Sequence, residues 1–325
     1  TDAGAAYIFA LSGGSWSQQA KIQASDKQAS DYFGVSVSMS GDGTRVIVGA
    51  YAEDTGGTNA GSAYIFAYSS SSWSQEAKIQ ASDLSASELY GVFGIGVSMS
   101  SDGTRVIVGA QGEDTGATNA GAAYIFAYSS GSWSQEAKIL ASDPEATDNF
   151  GYTVSMSGDG ARVIVGARYE DTGGTSAGAA YIYAYSSGSW SQEAKIQASD
   201  IQASDEFGWS VSMNSDGTKV LVGAAKEDTG ATDAGAAYIF ALSGGSWSQQ
   251  AKIQASDLQV SDYFGTSVAM SGDGTKVLVG TFLEDTGGTS AGAAYIFDYA
   301  PNTIYDTSTQ VFTATGTGIV SGSTV

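Results

Sequence analysis

The sequence contains no cysteine and no histidine, and it has only 2 prolines and 13 basic residues among its 325 residues. Without thiols or imidazoles, it excludes a disulfide scaffold, a thiolate zinc site, a cysteine nucleophile, and any triad or metal cluster that requires histidine. The 34 acidic residues give a formal net charge of −21. Phosphate binding needs clustered Lys and Arg, so we expect no nucleic-acid partner.

Long apolar runs are also missing. No stretch approaches the roughly 18 apolar residues of a membrane-spanning segment, and the chain opens on Thr1 without a recognisable signal peptide. We therefore expect no membrane span, and a chain that is a mature product or a fragment. Hydrophobic residues make up 42% of the sequence and charged residues 14%. This is too apolar for a disordered acidic tail, and the length suits one large domain or two small ones.

What the sequence has in abundance is an internal repeat. The segment Gly-Ala-Ala-Tyr-Ile-Phe and its variants place tyrosines at spacings of 57, 60, 57, 57 and 57 residues. Three further elements keep the same register: a Phe-Gly pair, a Val-Gly pair that ends a β-branched run, and a Ser-Trp-Ser segment. Residues 1–26 repeat residues 232–257 without a change, which indicates recent duplication.

Each unit has the pattern of four β-strands. Phe33–Met39 alternates apolar and polar residues (strand A), and after an Asp-Gly turn Arg45–Ala50 is a buried run (strand B). A polar loop leads to strand C, Ser62–Tyr68, and a Ser-rich turn leads to strand D around Trp73. Asp-Gly between apolar runs is a strong hairpin signal, and no stretch shows sustained helical periodicity. Four antiparallel strands repeated in tandem are typical of β-propeller blades.

The Phe-Gly, Val-Gly-Ala and Gly-x-Ala-Tyr-Ile-Phe segments resemble the FG-GAP repeat of integrin α-subunit propellers. The Ser-Trp-Ser-Gln-Glu-Ala-Lys-Ile strand is closer to the variant of that repeat found in secreted proteins of marine and environmental microbes. The resemblance covers residues 1–297 and implies a propeller that is extracellular or at the cell surface. It implies little about activity, because this repeat is a scaffold.

The number of strands predicts six blades. The chain begins with strands C and D alone, continues with four complete units, and ends with strands A, B and C near Phe297. We expect an all-β propeller of four-stranded antiparallel blades over residues 1–297. The tail, residues 298–325, is expected to supply the missing strands and to close the ring against the N-terminal half-blade. Two alternatives stay open: the chain is part of a longer array, or the tail adds a strand to a neighbouring molecule.

The net charge is predicted to lie on one face. In an up-and-down blade the B–C and D–A loops lie on the same face. These loops hold 24 acidic and three basic residues. The acidic and basic residues elsewhere, including the strand D lysines, are equal in number, so they add no net charge. Such a face repels itself and favours cations or a basic partner. The alternative is that the acids only solvate long loops.

Calcium is the predicted cofactor, since it prefers carboxylate ligands. The candidate ligands are the repeated Glu-Asp pairs of the B–C loops: Glu53, Asp54, Glu113, Asp114, Glu170, Asp171, Glu227, Asp228, Glu284 and Asp285. The integrin-type calcium loop lies instead between strands A and B. Here each A–B turn keeps a single carboxylate, so we interpret its Asp-Gly as turn chemistry and expect no metal there.

Two departures from the repeat mark a candidate binding site. Trp209 follows a Phe-Gly pair at a position where the other units have Val, Ile, Tyr or Thr, and a three-residue insertion lengthens the loop that contains Glu88 and Tyr90. We predict ligand binding at Trp209, Glu88 and Tyr90. The alternative for Trp209 is that it only fills the central channel.

These features favour a binding or structural protein and not an enzyme. The loops are near-copies, whereas an active site needs different residues with different pKa values. We therefore predict a non-catalytic extracellular propeller for adhesion or for surface or filament assembly, with other proteins, copies of itself or glycans as partners. A lectin-like glycan-binding propeller is the first alternative, and a glycoside hydrolase that uses two carboxylates is the second.

Overall fold

The computed structural model describes residues 2–83 and 92–299, together with the backbone strand Gln310–Phe312. The predicted binding residues Glu88 and Tyr90 lie outside these ranges. The described residues form strands only, in five four-stranded sheets and one two-stranded sheet. They contain no helix long and apolar enough to cross a membrane.

The two-stranded sheet is the N-terminal hairpin, β1 (Ala6–Ser12) and β2 (Ser15–Ile22). The five blades follow in chain order, each with strands in the order A–B–C–D. The A strands are β3 (Val37–Met39), β7 (Val97–Met99), β11 (Thr153–Met156), β15 (Phe207–Met213) and β19 (Ser267–Met270). The B strands are β4 (Arg45–Ala50), β8 (Arg105–Ala110), β12 (Arg162–Ala167), β16 (Lys219–Ala224) and β20 (Lys276–Thr281). The C strands are β5 (Ser62–Ser69), β9 (Ala122–Ser129), β13 (Ala179–Ser186), β17 (Ala236–Ser243) and β21 (Ala293–Asp298). The D strands are β6 (Ser72–Ile79), β10 (Ser132–Ile139), β14 (Ser189–Ile196), β18 (Ser246–Ile253) and β22 (Gln310–Phe312).

The predicted class, a β-propeller of four-stranded antiparallel blades, is confirmed, but the prediction of six blades is wrong. The tail does contribute a strand, β22. However, β22 pairs with β21 and becomes the fourth strand of blade 5. It supplies neither strand A nor strand B to the N-terminal hairpin, which therefore stays two-stranded among the described residues.

The Asp-Gly turns between strands A and B have the local chemistry that the sequence predicts. In blade 1, the backbone N–H of Thr44 donates to Asp42 Oδ1 at 2.9 Å, and the Ser40 hydroxyl donates to the same oxygen at 2.7 Å. Gly43 has a φ of 70°, which the turn requires and glycine adopts without strain. The carboxylate of such a turn therefore accepts hydrogen bonds from residues of the turn itself.

The chain divides into two compact units, residues 1–156 and 157–325. Within each unit, one blade presents an aromatic face to an aliphatic face of the blade before it. In the second unit, Phe207, Tyr238 and Phe240 of blade 4 pack with Ile164 and Ile182 of blade 3. The first unit repeats this contact in a second cluster, which contains Ile47, Ile65, Phe93, Tyr124 and Phe126.

The Phe-Gly pair joins neighbouring blades. Phe33 forms a parallel bridge with Gly4 in the segment before it, and strand β3 begins only at Val37. In blade 4, Phe207 forms the equivalent bridge with Gly178 and also begins strand β15. The Val-Gly glycine allows the same close approach. A Cβ on Gly223 would lie 2.0 Å from the carbonyl oxygen of Gly265 in the next blade. These glycines therefore permit backbone contact between blades.

Candidate binding site at the loop edge of the blades

The B–C and D–A loops meet at one edge of each blade, as the sequence predicts. In blade 4, Lys252 Nζ of strand D lies 2.7 Å from Asp200 in a D–A loop and 2.8 Å from Glu227 in a B–C loop. In blade 1, Lys78 joins Asp26 and Glu53 in the same way, at 2.7 and 3.0 Å. The strand D lysines therefore reach the acidic loops and neutralise part of the charge that the sequence assigned to them.

The glutamates among the predicted calcium ligands are buried and bonded within the protein. Glu53 is 0% exposed, and it accepts hydrogen bonds from the hydroxyls of Thr55 and Ser62 at 2.5 and 2.6 Å. Burial acts to raise the pKa of Glu53, but the hydrogen bonds from Ser62, Thr55 and Lys78 outweigh it and lower that pKa. Glu113, Glu170, Glu227 and Glu284 are likewise buried. In blades 1 to 4 the glutamate also pairs with a strand D lysine and so ties the B–C loop to its blade.

The aspartates of the same pairs close their own loops. Asp54 Oδ1 accepts the backbone N–H of Asn59 at 2.9 Å. The same contact recurs at Asp114, Asp171, Asp228 and Asp285. Among the described residues, no group of three or more acidic side chains is arranged to hold a metal ion. Calcium binding by these loops stays a prediction.

A second set of buried carboxylates organises the D–A loops. Asp205 is 2% exposed, and its Oδ2 accepts the backbone N–H of Gln202 at 2.8 Å. Burial raises the pKa of Asp205 to about 6, with a smaller contribution in the same direction from Glu227. Asp31, Asp148 and Asp262 hold the corresponding loops by the same contact. Their repetition indicates a structural role.

Against this repeated framework of loop carboxylates, four of the positions that vary between blades lie next to the Phe-Gly and Val-Gly pairs. They are the residue before Phe-Gly, the residue after it, and the two residues that follow the Val-Gly-Ala or Val-Gly-Thr run; we call them the rim positions. They are Tyr32, Val35, Tyr51 and Ala52 in blade 1; Val92, Ile95, Gln111 and Gly112 in blade 2; Asn149, Tyr152, Arg168 and Tyr169 in blade 3; Glu206, Trp209, Ala225 and Lys226 in blade 4; and Tyr263, Thr266, Phe282 and Leu283 in blade 5. Each rim position takes four or five different residues across five otherwise similar blades.

In the second unit, five rim residues of blades 3 and 4 form one group, which we call the rim cluster. The Arg168 guanidinium carbon lies 4.7 Å from the ring centre of Trp209 and 4.5 Å from that of Tyr169. Lys226 Nζ lies 2.6 Å from Glu206 Oε1. This hydrogen bond raises the pKa of Lys226, against the opposing effect of burial. The cluster thus combines a cation in contact with two rings and an ion pair.

Glu206 is the buried member of the rim cluster. It is 3% exposed, and its second oxygen, Oε2, is buried without a hydrogen-bond partner among the described residues. The Glu206 backbone has a φ of 53°, in the left-handed region that non-glycine residues seldom occupy. The equivalent residues Tyr32, Val92, Asn149 and Tyr263 share this conformation. Each D–A loop thus turns at the same place whichever side chain it presents.

Two other blades place stacked aromatic rings at the rim positions. In blade 1, the rings of Tyr32 and Tyr51 lie 5.2 Å apart and within 10° of parallel. In blade 5, the rings of Tyr263 and Phe282 lie 5.7 Å apart and within 16° of parallel. Of the predicted binding residues, the structure places Trp209 in the rim cluster. The remaining rim residues were not singled out from the sequence, although their variation between repeats was visible there.

The fold and the repeated contacts between blades define a β-propeller whose Phe-Gly and Val-Gly pairs join one blade to the next. The family model of the FG-GAP repeat matches residues 16–66, 73–126, 133–183, 190–240 and 247–297. The chain belongs to the FG-GAP repeat family. The sequence matches no curated protein.

Solved structures with the same fold are distant in sequence. The periplasmic gluconolactonase PpgL of Pseudomonas aeruginosa is similar with a TM-score of 0.58 at 14% identity, over 91% of this chain and 75% of that one. A functionally unknown protein from Desulfotomaculum acetoxidans is similar with a TM-score of 0.53 at 10% identity, over 86% of this chain and 68% of that one. At these identities the likeness shows the fold alone.

Proposed function

We propose that the chain is a non-catalytic extracellular binding propeller for adhesion, and that its blades contact the ligand through the rim positions. The observation that carries the proposal is the contrast between the constant framework and the variable rim. Near-identical loops offer a ligand the same groups in every blade. The rim positions instead offer different rings and charges from blade to blade, and such differences make recognition selective.

The composition of the rim cluster supports this function. Trp, Tyr and Arg are the residue types enriched at energetically important contacts between proteins. Trp209, Tyr169 and Arg168 supply all three within one group. In addition, the buried Glu206 Oε2 has acceptor capacity that the described protein groups do not use. A ligand donor that reached it would satisfy an oxygen that is costly to leave unpaired.

A lectin-like function is the second candidate, and the stacked pairs favour it. Phe282 is 55% exposed and Tyr32 is 47% exposed, so each pair offers an aromatic surface to solvent. Flat exposed rings can pack against the apolar face of a sugar. A glycan would therefore be the ligand class if the stacked pairs, and not the rim cluster, dominate binding.

The third candidate function, a glycoside hydrolase that uses two carboxylates, has the least support from the rim positions. Asp205 has a raised pKa of about 6, as a general acid requires. However, equivalent aspartates make the same backbone contact in other blades, so this side chain serves the loop. The activity of the gluconolactonase named above belongs to that protein, and the likeness transfers only the fold.

The test is direct binding by the complete chain to a panel of immobilised glycans and purified surface proteins. For whichever member binds, we expect Trp209→Ala and Arg168→Ala each to weaken binding at least tenfold, which corresponds to about 1.4 kcal/mol. Trp247→Ala is the control, because this Trp lies on strand D, where its Nε1 donates to Glu193 at 3.2 Å. Unchanged binding by both rim variants, or equal loss in the control, would overturn the proposal. Turnover of a glycoside that is abolished by replacing one rim or loop carboxylate would favour an enzyme.

A further inference from the structure

Strand D of blades 1 to 4 places a lysine ammonium group against the acidic loops. In blade 4, Lys252 Nζ lies 2.7 Å from Asp200 Oδ2 and 2.8 Å from Glu227 Oε1. The same ammonium donates to the hydroxyl of Thr229 at 3.0 Å. Blades 1 and 2 repeat all three contacts. The three acceptors therefore match the three N–H groups of one ammonium.

The loops of blade 5 hold the same acceptors. The Tyr295 hydroxyl donates to Asp257 Oδ1 at 2.8 Å, and the Thr286 backbone N–H donates to Glu284 Oε1 at 2.7 Å. The corresponding contacts of blade 4 both measure 3.0 Å. The two carboxylates of blade 5 are therefore fixed by the same internal donors as those that face Lys252.

Strand D of blade 5 differs from the other four at the lysine position. In blade 4, Lys252 of β18 lies opposite Tyr238 of β17. In blade 5, the residue of β22 opposite Tyr295 is Val311. Valine carries no charge, so this strand brings no ammonium group to the loops.

The effect falls on Glu284. This residue is 1% exposed, and its Oε2 has no hydrogen-bond partner among the described residues. The equivalent oxygen of blade 4 accepts Nε2 of Gln254 at 3.1 Å. Within the described part of the chain, neither Glu284 nor Asp257 forms an ion pair. A buried carboxylate without a cation is costly, so this place favours a cation from outside the chain.

The contacts in the other blades indicate which cation fits. The ammonium nitrogen lies 2.6–3.0 Å from the carboxylate oxygens. These are lengths of charge-assisted N–H···O hydrogen bonds, whereas calcium–oxygen distances are roughly 2.3–2.6 Å. In blade 5, Thr286 is exposed and Asp257 is half-buried, so the place borders solvent and a ligand reaches it there.

We propose that blade 5 binds a primary ammonium group of another molecule, with Asp257, Glu284 and Thr286 as acceptors. The source is a free amine or the lysine side chain of another protein, since both present the same –NH₃⁺ group. The site uses none of the rim residues. Its test is therefore independent of the ligand proposed for the rim.

The probe is ethylammonium chloride, and the readout is the melting temperature followed by circular dichroism. We expect ethylammonium to raise the melting temperature by about 2 °C or more beyond sodium chloride at equal concentration. Tetramethylammonium chloride is the matched control, because it carries the same charge but has no N–H donor. Equal shifts with the three salts would overturn the proposal, since they would show general screening of the acidic loops.

Three variants locate the response. Val311→Lys places an ammonium at the register position of Lys252, so it should raise the melting temperature without amine and remove the response to ethylammonium. Glu284→Gln should also remove the response, without adding a cation. Lys252→Ala is the positive control, because it exposes the equivalent acceptors of blade 4 and should gain a response of its own. A response retained in Glu284→Gln would overturn the proposal, as would a response in Lys252→Ala that the unmodified chain lacks.

A tripeptide with a central lysine and both ends blocked distinguishes the two sources of the ammonium group. A shift equal to that of ethylammonium supports the site and assigns it to a lysine side chain of another protein. A shift with ethylammonium alone supports the site and assigns it to a free amine. No specific shift with either probe would overturn the proposal.

Discussion

Lys252 Nζ and Glu227 Oε1 lie 2.8 Å apart where strand β18 meets the B–C loop of blade 4. Glu227 is fully buried, and the hydroxyl of Thr229 donates to the same carboxylate. Lys252 also reaches Asp200, so one ammonium group neutralises carboxylates from two loops. The contact links the acidic loops to the sheet. Removing the cation would leave a buried charge uncompensated.

We therefore expect Lys252→Met to lower the free energy of unfolding by about 2–4 kcal/mol, somewhat less than the roughly 3–5 kcal/mol for removing one partner of a fully buried pair, because the Lys252 side chain is partly exposed. Urea unfolding at neutral pH measures this change. Lys21→Met is the matched control, because Lys21 has the same place in the identical N-terminal hairpin but is exposed there, with its Nζ 5.6 Å from the Tyr7 ring centre. The control should change stability by at most about 0.5 kcal/mol. Equal losses in the two variants would contradict a role for the carboxylate contacts.

Asp205 leads to a prediction about pH. Its pKa rises from 3.8 when unfolded to about 6 when folded, chiefly because it is buried. The folded state therefore binds the proton more tightly, and this residue destabilises the fold increasingly as pH rises from about 4 to about 6. Asp205→Asn keeps an acceptor for the Gln202 N–H and removes the charge. We expect it to raise stability by about 1–3 kcal/mol at pH 7.5 and to have little effect near pH 3.5.

Asp200→Asn should have the opposite effect on stability at neutral pH, although Asp200 lies beside the same blade. Burial acts to raise the pKa of Asp200, but the contacts with Lys252 and Tyr238 outweigh it and lower that pKa. This carboxylate therefore contributes stability above its unfolded pKa and loses it as pH falls through its folded pKa. The Asn variant should be less stable at neutral pH, with a difference that shrinks in acid. Parallel stability–pH curves for the two variants would show that neither environment acts as described.

Much of the fold follows from local patterns, while the blade number depends on a distant pairing. Alternation and Asp-Gly turns suffice to predict the four strands, because both act between near neighbours in sequence. The partner of the tail is not locally encoded. Strand β22 pairs with β21, which no pattern within residues 298–325 specifies.

The candidate site was also only partly predictable from the sequence. Trp209 could be identified because it departs from the repeat. The hydrogen bonds of Glu53 could not be predicted, because nothing in the sequence of an acidic loop indicates that Ser62 and Lys78 contact this residue. Burial gives this predicted metal ligand hydrogen-bond donors from within the protein. Comparing repeats position by position would have placed the rim positions among the variable ones, because the loop carboxylates stay constant between blades and the rim residues do not.

The Val-Gly glycines give a prediction in which two equivalent positions behave differently. A Cβ on Gly223 would meet the Gly265 carbonyl oxygen at 2.0 Å, whereas a Cβ on Gly280 has Ser267 Cβ as its nearest neighbour, at 3.5 Å. We expect Gly223→Ala to lower the unfolding free energy by about 3 kcal/mol or more, since backbone must move. Gly280→Ala should cost less than about 1 kcal/mol. Thermal unfolding followed by circular dichroism compares them, and similar melting temperatures would contradict the contact between blades.

Chelation distinguishes structural carboxylates from a calcium site. Glu53 receives hydrogen bonds from Thr55, Ser62 and Gln80 in addition to its ion pair with Lys78, so its oxygens have internal donors already. We expect a chelator to leave the melting temperature unchanged, and millimolar calcium to raise it only slightly, through general screening of the acidic loops. Magnesium at equal concentration is the control and should have the same effect. A rise specific to calcium, lost in Asp54→Asn and its equivalents, would show that the loop aspartates bind the ion.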